Sequence, residues 1–497
     1  MKLFLKYRNR SKGFLLIGVL IFAAISILTM TAVISWATTS AKLSRRVQSR
    51  EISLEIAEAG IEYARWYLAH YQSGYTLGHG TSAGPYVYPF EDKDGTQIGT
   101  YTLTVTPPMT GSTLVKIKST GATLADPSAT RSINVHLAIP SLAKYSVLGN
   151  SDMRFGEGTV VYGPLHSNGG IRFDGIAWNK VSSAKSSYDD PDHTGNNEFG
   201  VHTHVTSGTG VVNNAQRPAE APPSVVANRS DVFKAGRDFP VPAVDFVGIT
   251  TDLATIKTQA TASGKYFAAS GYQGYQIILK TNDTFDLYRV TNLTAAPSGC
   301  TDVNNETGWG TWSIGAKTFL ANYAIPANGL IFVEDHVWVE GAINTARVTI
   351  AAARFPDNAS LRKNIIVNND LRYTNYNGTD VIALIAQNNI NVGLFSSNSF
   401  EIDAALVAQN GRIGRHYYDP PTNGGGTNRC GVNVNRNSIT LYGMLATNAR
   451  YGFAYTDGSG YDTRTITYDT NLLYAPPPNF PLASDKYQII LWEELEN

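Results

Sequence analysis

Lys12-Gly13-Phe14-Leu15-Leu16-Ile17 opens the stretch that decides how this chain is built. Ahead of it, Met1 to Lys12 carries Lys2, Lys6, Arg8, Arg10 and Lys12 with no acid, and behind it Phe14 to Ala37 holds no charge at all. About two dozen apolar residues are enough to cross a bilayer, because roughly 20 helical residues at about 1.5 Å each span a core of about 30 Å. The basic flank predicts an N-terminus kept on the cytoplasmic side, with everything after Trp36 outside. A cleaved secretory signal would have an apolar core of about 7 to 15 residues ending at small residues. Here the helical pattern resumes after Thr38, Thr39 and Ser40.

Val47, Leu54, Ile61 and Leu68 recur at heptad spacing, with Leu43, Ala57, Ala64 and Tyr71 offset from them, and Arg50 interrupts the seam once. One apolar stripe therefore continues along a helix far beyond the membrane. A single helix from Phe14 to about Tyr71 would be roughly 85 Å long.

Ser11 to Ile17 resembles a type III, prepilin-type signal: a short basic leader, Gly before the scissile bond, then Phe opening the apolar helix. Ala57-Glu58-Ala59-Gly60-Ile61-Glu62-Tyr63-Ala64 is similar to the AEAG stretch in the N-terminal helix of PilX-type minor pilins. The resemblance implies cleavage after Gly13 by a prepilin peptidase, methylation of the new Phe14 amine, and packing against other pilins and an inner-membrane assembly platform. The helix face for that assembly would be Gly18, Val47, Leu54, Ala57, Glu58, Gly60 and Ile61. Gly18 departs from the shaft-forming pattern, which places Glu at this fifth mature position to meet a neighbour's terminal amine. Without that carboxylate a buried amine is left unpaired at a cost of several kcal/mol. Among PilX-like and pseudopilin subunits this loss goes with tip or initiation subunits; the plainer reading is a tolerated small residue.

The chain has 497 residues and a formal net charge of zero, long enough for more than one core. Nine of its 40 Lys and Arg, and none of its 40 acids, lie in the first 50 residues, so the remainder is net acidic. That disfavours nucleic acid as a partner. Cys300 and Cys430 are the only cysteines: outside the membrane they can pair, and two free thiols is the alternative. The 45 Gly and 27 Tyr fit a turn-rich extracellular β protein.

Three alternating runs follow the helix, Tyr101 to Thr106, Leu114 to Lys118 and Ser132 to Ala138, and predict an antiparallel meander packed on it. Val147-Leu148-Gly149-Asn150, Val160-Val161-Tyr162-Gly163 and Ile171-Arg172-Phe173 read as first coils of a β-solenoid. Residues 176–325 read as an insertion: a polar, Pro-rich loop, then a helix over Thr250 to Ser263 and a hairpin turning at Lys280 to Thr284. From Leu330 the pattern returns, with an apolar-apolar-x-x-Asn unit ending at Asn368, Asn388, Asn410 and Asn448. Its period of about 20 residues suits one coil, and the longer last interval holds Pro420-Pro421, Gly424 to Gly426 and Cys430.

The expected class is thus α+β: a long pilin-like helix with a small antiparallel sheet, then a mainly β ectodomain, a right-handed β-helix with an inserted α+β unit. The expected domains are 1–13 leader, 14–37 membrane span, 38–140 helix and sheet, 141–175 first coils, 176–325 insertion, and 326–497 main solenoid with its C-terminal cap. Asn471-Leu472-Leu473-Tyr474-Ala475-Pro476-Pro477-Pro478 to Glu494, with Pro164 to Gly175, resembles bacterial envelope proteins with PilX-like N-termini and repetitive β bodies.

Asp189, Asp190, Asp192, His193, His202 and His204 form the densest ligand-like group, and they read as a solvated polar loop rather than a metal site. No cofactor is expected. β-Helices also host sugar-active enzymes, for which Glu334, Asp335, Glu340, Glu401 and Asp403 are the carboxylates to consider. Solubilising roles are the commoner use of such acids, so a non-catalytic protein is expected. Trp178, Trp309, Trp312 and Trp338 are candidates for a polysaccharide-binding surface or for core.

Overall fold

The computed structural model describes residues 12–246, 252–420 and 429–495. The leader over residues 1–11, the first residues of the helix expected at Thr250, and Pro421 with Gly424 to Gly426 lie outside the described residues. The chain forms two compact units: one of residues 1–107, 115–137 and 489–497, the other of residues 108–114 and 138–488.

The first unit is built on α1, Lys12–His70, followed by strands β1 (Tyr86–Glu91), β2 (Gln97–Thr106), β3 (Val115–Thr123) and β4 (Arg131–Ala138). β1 to β4 pair antiparallel in sequence order. The chain's last strand, β5 (Gln488–Leu495), completes the sheet beside β4. This corrects the expectation that the C-terminus caps the solenoid. Arg131 binds Glu494, and Asn134 donates to Glu493 at 2.7 Å. Nothing in the pattern of 488–495 distinguishes a partner for it; the neighbour is supplied by the exposed edge of β4.

α1 is exposed from Phe14 to Gln48, and Phe14 to His70 is long and apolar enough to cross a membrane. Burial begins at Ser49 and continues through Ser53, Ile56, Ala57, Gly60, Ile61, Ala64 and Leu68, a face with helical spacing. Leu54 is half-buried, while Leu43, Val47 and Tyr71 remain exposed. The buried stripe thus follows the seam at Ala57, Ile61, Ala64 and Leu68 and adds Ser49, Ser53, Ile56 and Gly60 beside it, because the sheet meets small residues. A Cβ on Gly60 would lie 2.4 Å from Ser119 Oγ and 2.9 Å from the Tyr101 ring. One on Gly121 of β3 would lie 2.0 Å from the Ser53 carbonyl oxygen and 2.6 Å from the Ala57 nitrogen. Helix and sheet approach backbone to backbone along this line.

The second unit is a stack of parallel strands. One ladder runs Lys265–Phe267, Leu330–Val333, Arg347–Ala352, Val381–Ala386, Ser399–Ala408 and Asn435–Thr447. It then passes without a break onto Val147–Gly149, Leu165–Ser167, Val181–Ser183 and Arg237–Asp238. The two solenoid stretches of the sequence are thus halves of one stack, with Leu445 lying on Val147. Apolar residues line the interior in register: Ile350, Leu384, Leu406, Leu445, Val147 and Leu165 are all buried.

Asn side chains reinforce the join. Asn448 donates to the Asn410 carbonyl at 3.2 Å, Asn150 to Asn448 Oδ1 at 2.8 Å, and Asn168 to Asn150 Oδ1 at 2.7 Å. Asn368 is not part of this ladder. Ile365–Ile366 stacks on Val337 and Trp338 and on Ile390 and Asn391, a different row, so the spacing from Asn368 to Asn388 does not measure a coil.

The region expected as a separate α+β insertion is the end of the same stack. Helix α2, Asp252–Ser263, buries Leu253, Ile256 and Ala260 with Leu330 and Phe332. The hairpin pairs Gly274–Lys280 with Thr284–Leu293, Asp283 taking positive φ in its turn, and Ile314–Ala324 adds a third antiparallel strand. Gly274–Lys280 also pairs parallel with Val337–Ile343, which ties the hairpin into the ladder.

Cys300 and Cys430 form a disulfide, packed with Leu394, Tyr418 and Val434. Buried Arg347 donates to the carbonyls of Gly378, Ala475 and Pro476, the last two at 2.7 Å. The Ala475-Pro476-Pro477-Pro478 segment is thereby held by carbonyl oxygens, the one backbone hydrogen-bonding group that proline keeps.

Candidate functional site: a buried histidine cluster

The polar stretch expected as a solvated loop is ordered against the stack. After Val181–Ser183 the chain makes a short hairpin, Ser187–Tyr188 pairing antiparallel with Glu198–Phe199. Val201–His202 then pairs parallel with Ile171–Arg172, which itself lies on Met153–Phe155. At the hairpin tip Asp190 Oδ1 accepts from the Asp192 amide at 3.0 Å, and the His193 amide turns back to the Asp190 carbonyl. His202 and His204, two apart on extended backbone, project to the same side.

These elements bring Asp190, His193, His202 and His204 together, one ligand atom from each lying within 4.8 Å of the others. His202 and His204 are 0% exposed, Asp190 is 2%, and the His193 side chain is 9%. Asp190 Oδ2 sits 3.3 Å from His193 Nε2 and 3.5 Å from His202 Nε2. The rings of His193 and His202 lie 5.0 and 5.1 Å from that of His204. Asp189 is exposed, and Asp192 turns away to Arg450 and Arg154.

Hydrogen bonding around the cluster is one-sided. His204 Nδ1 is bonded to Asn214 Oδ1 at 3.0 Å; since an amide oxygen only accepts, Nδ1 carries the proton and Nε2 presents its lone pair. His204 Nε2, both nitrogens of His193 and His202, and Asp190 Oδ2 have no hydrogen-bond partner. Each buried polar atom left so costs about 1 to 3 kcal/mol, and folded proteins keep few of them.

The flanking charges are engaged. Arg172 donates to Asp174 at 2.7 Å and stands 3.5 Å from Asp190 Oδ2, Arg217 donates to Glu198 at 2.8 Å, and Glu220 binds Arg229 and Arg237. Asp174 Oδ1 accepts from the His204 amide at 2.8 Å. Burial lowers the His204 imidazole to about 4, with Arg172 and His202 acting in the same direction, so it is neutral at neutral pH. Burial alone would raise the Asp190 carboxyl; the His202 ring, the Asp192 amide and Arg172 outweigh it and hold the group well below the ordinary carboxylate range. The chemistry on offer is three imidazoles and one carboxylate, all facing inward.

No known family profile matches the chain, and no curated protein sequence matches it. The chain is similar to a crystal structure of the competence-associated pilin ComZ from Thermus thermophilus, with 11% identity over 90% of this chain and 98% of that one, at a TM-score of 0.28. A likeness that weak carries no weight on function.

The other residues singled out in the sequence fall elsewhere. Gly13 has helical backbone, Phe14 is 84% exposed, and Gly18 has open space around it. Ala57, Gly60 and Ile61 are buried under the sheet and Glu58 is exposed. The candidate acids each hold a structural bond. Glu334 binds Lys257 and the Tyr266 hydroxyl, Asp335 accepts from Ser270 and pairs with Lys363, and Glu340 accepts from Gln276. Glu401 faces Arg372, and buried Asp403 accepts from the Tyr373 amide and the Tyr376 hydroxyl. Trp338 is buried, donating to the Trp312 carbonyl, and Trp309 packs beside the disulfide. Trp178 is exposed and stacks on exposed Tyr162 at 5.8 Å. A cleft of about 820 Å³ nearby holds four arginines, already committed: Arg154 and Arg450 to Asp192, Arg412 to Glu306, Arg464 to backbone carbonyls.

Proposed function

We propose that this chain is a pilin-like, single-pass membrane protein, N-terminus cytoplasmic, that carries its β domain outside the membrane as a minor subunit at or near a filament tip. The observation that supports this most is the division of α1: an uncharged, exposed run from Phe14 to Ala37, and a second half packed under an antiparallel sheet. A helix bare over that length needs lipid or neighbouring subunits to cover it. The Lys12-Gly13-Phe14 junction and the Ala57 to Gly60 stretch favour the prepilin route, with cleavage after Gly13, methylation of Phe14 and delivery by the pilin assembly platform. Gly18, without a carboxylate, and a second unit reaching from residue 138 to 488 favour low copy number over a repeating shaft position. The continuous parallel ladders favour a β-helix, right-handed as parallel crossovers are. With its acids tied into structural bonds, the domain serves binding rather than catalysis.

A second reading rests on the Trp178 and Tyr162 stack, the kind of exposed aromatic face that packs on sugar rings: a membrane-anchored envelope protein that binds polysaccharide. N-terminal mass spectrometry of the membrane-extracted chain, with gold labelling of sheared filaments, separates the two. Methyl-Phe14 and label at filament ends are expected. An intact Met1 in a peptidase-competent host overturns the prepilin route. Label along the whole shaft overturns the tip position, and label confined to the cell body leaves the anchored reading.

A further inference from the structure

We propose that Asp190, His193, His202 and His204 hold one divalent transition-metal cation of intermediate softness, zinc being the type, in a closed structural site. Three imidazole nitrogens and one carboxylate oxygen are a donor set for such a cation, whereas calcium and magnesium require six or more oxygens. Thiolate is not available to compete, since the chain's two cysteines are bonded to each other.

The distances discriminate between an ion and a hydrogen-bonded cluster. Charge-assisted N–H to carboxylate bonds are about 2.7 to 2.9 Å long. Asp190 Oδ2 is 3.3 Å from His193 Nε2 and 3.5 Å from His202 Nε2, too long for such bonds. Ligands about 2.0 to 2.1 Å from a central tetrahedral ion are separated by about 3.4 Å. All four ligand atoms lie within 4.8 Å of one another, so the site binds an ion by drawing the ligands inward from that spread. One shared proton would satisfy a single nitrogen and the Asp190 oxygen, leaving the remaining inward nitrogens unmatched; one cation takes one nitrogen from each of the three rings together with the Asp190 oxygen, and leaves only the outer nitrogens of His193 and His202.

The surroundings fit the same reading. Asn214 holds the His204 ring by Nδ1 and turns Nε2 inward, the outer-shell contact that metal-bound imidazoles usually have. With four protein ligands and almost no solvent access, the site lacks the open position that catalysis needs. Two ligands come from the turn at 190–193 and two from the strand and its continuation at 202–204. The cation therefore clips the hairpin tip to the strand that pairs with Ile171–Arg172.

The test uses the full-length chain in detergent with any affinity tag removed. Elemental analysis after gel filtration is expected to find about one zinc per chain. After chelation, added cobalt(II) should give the visible absorption of a four-coordinate site, saturating at one equivalent, and zinc should raise the melting temperature and protect residues 184–200 from protease. His202→Gln and His204→Gln should each weaken zinc binding at least a hundredfold. Asn214→Ala, which removes only the positioning contact, should weaken it about ten- to a hundredfold. Asp189→Asn, exposed and outside the cluster, should change nothing. A chelated wild-type chain that stays folded by circular dichroism yet binds neither zinc nor cobalt stoichiometrically overturns the proposal. So does binding that His202→Gln and His204→Gln leave intact, or a preference for calcium.

Discussion

The two units solve one problem, burying a long chain's apolar surface, by opposite means. In the helix-and-sheet unit the contact is made where side chains are missing. Ser53, Ala57 and Gly60 face Ser119 and Gly121, and backbones close to van der Waals contact. In the parallel-strand unit the contact is made by like side chains laid on one another, Leu384 on Leu406 and Leu406 on Leu445, with Asn448 and Asn150 bonded beside them. The first arrangement tolerates no added atom at a few positions. The second spreads its stability over many stacked strands, each contributing modestly.

That difference sets the order of expected effects. Gly121→Val should be the most damaging single change, because its Cβ would lie 2.0 Å from the Ser53 carbonyl oxygen and 2.6 Å from the Ala57 nitrogen, so that backbone rather than a flexible side chain has to shift. A loss of about 3 kcal/mol or more is expected. Limited proteolysis should show residues 86–137 becoming susceptible while the disulfide-bearing unit stays protected; equal resistance to wild type would break the comparison.

Removing the Cys300–Cys430 bridge with paired Ser substitutions comes next. It releases a loop spanning 130 residues, for which about 2 to 4 kcal/mol is the usual cost. Denaturant unfolding of the pair variant should show that loss in the parallel-strand unit and leave protease resistance of the sheet unchanged.

Asp403 sharpens the comparison by pH. Burial pushes its carboxyl up to about 6, Glu401 adds to the rise, and the Tyr373 amide, the Tyr376 hydroxyl and Arg372 oppose it. The folded chain therefore holds this proton more tightly than the unfolded one. The resulting stability is fully present below about pH 4 and is lost as pH rises through about 6, in total about 2 to 3 kcal/mol. Asp403→Asn should melt higher than wild type at pH 8 and show no advantage at pH 4; parallel melting curves for the two chains would refute the assignment.

The smallest effect belongs to the Asn ladder. Asn448→Ala removes the acceptor of Asn150 and the donor to the Asn410 carbonyl, about 1 kcal/mol by thermal unfolding. A loss as large as that from opening the disulfide would mean the stack is not distributed in the way described.

Much of this architecture is written in local patterns. The uncharged run from Phe14 to Ala37, the alternation through Tyr101 to Thr106 and Ser132 to Ala138, and the turn at Lys280 to Thr284 each depend on residues close in sequence. Periodicity and turn chemistry act over that range, so helix, meander and hairpin are legible without coordinates. The repeated Leu, Ala and Asn units likewise announce a stacked β body.

What the pattern does not carry is which strand meets which. Short apolar triplets such as Val147-Leu148-Gly149 and Met444-Leu445-Ala446 are nearly interchangeable, and only the assembled stack selects Leu445 for Val147. The strand at Gln488–Leu495 finds β4 because that edge is free, not because its residues specify it. The histidine cluster is the sharpest case. Asp190, His193, His202 and His204 look like any polar, solvated loop in a linear reading, and whether imidazoles converge depends on a hairpin folding back onto Ile171–Arg172. Sequence by itself determined the apolar anchor, the classes of element and the repeat. Tertiary structure alone decided the order of the stacked strands, the return of the C-terminal strand and the burial of four inward-facing ligand side chains, because register and convergence are properties of distant backbones brought together.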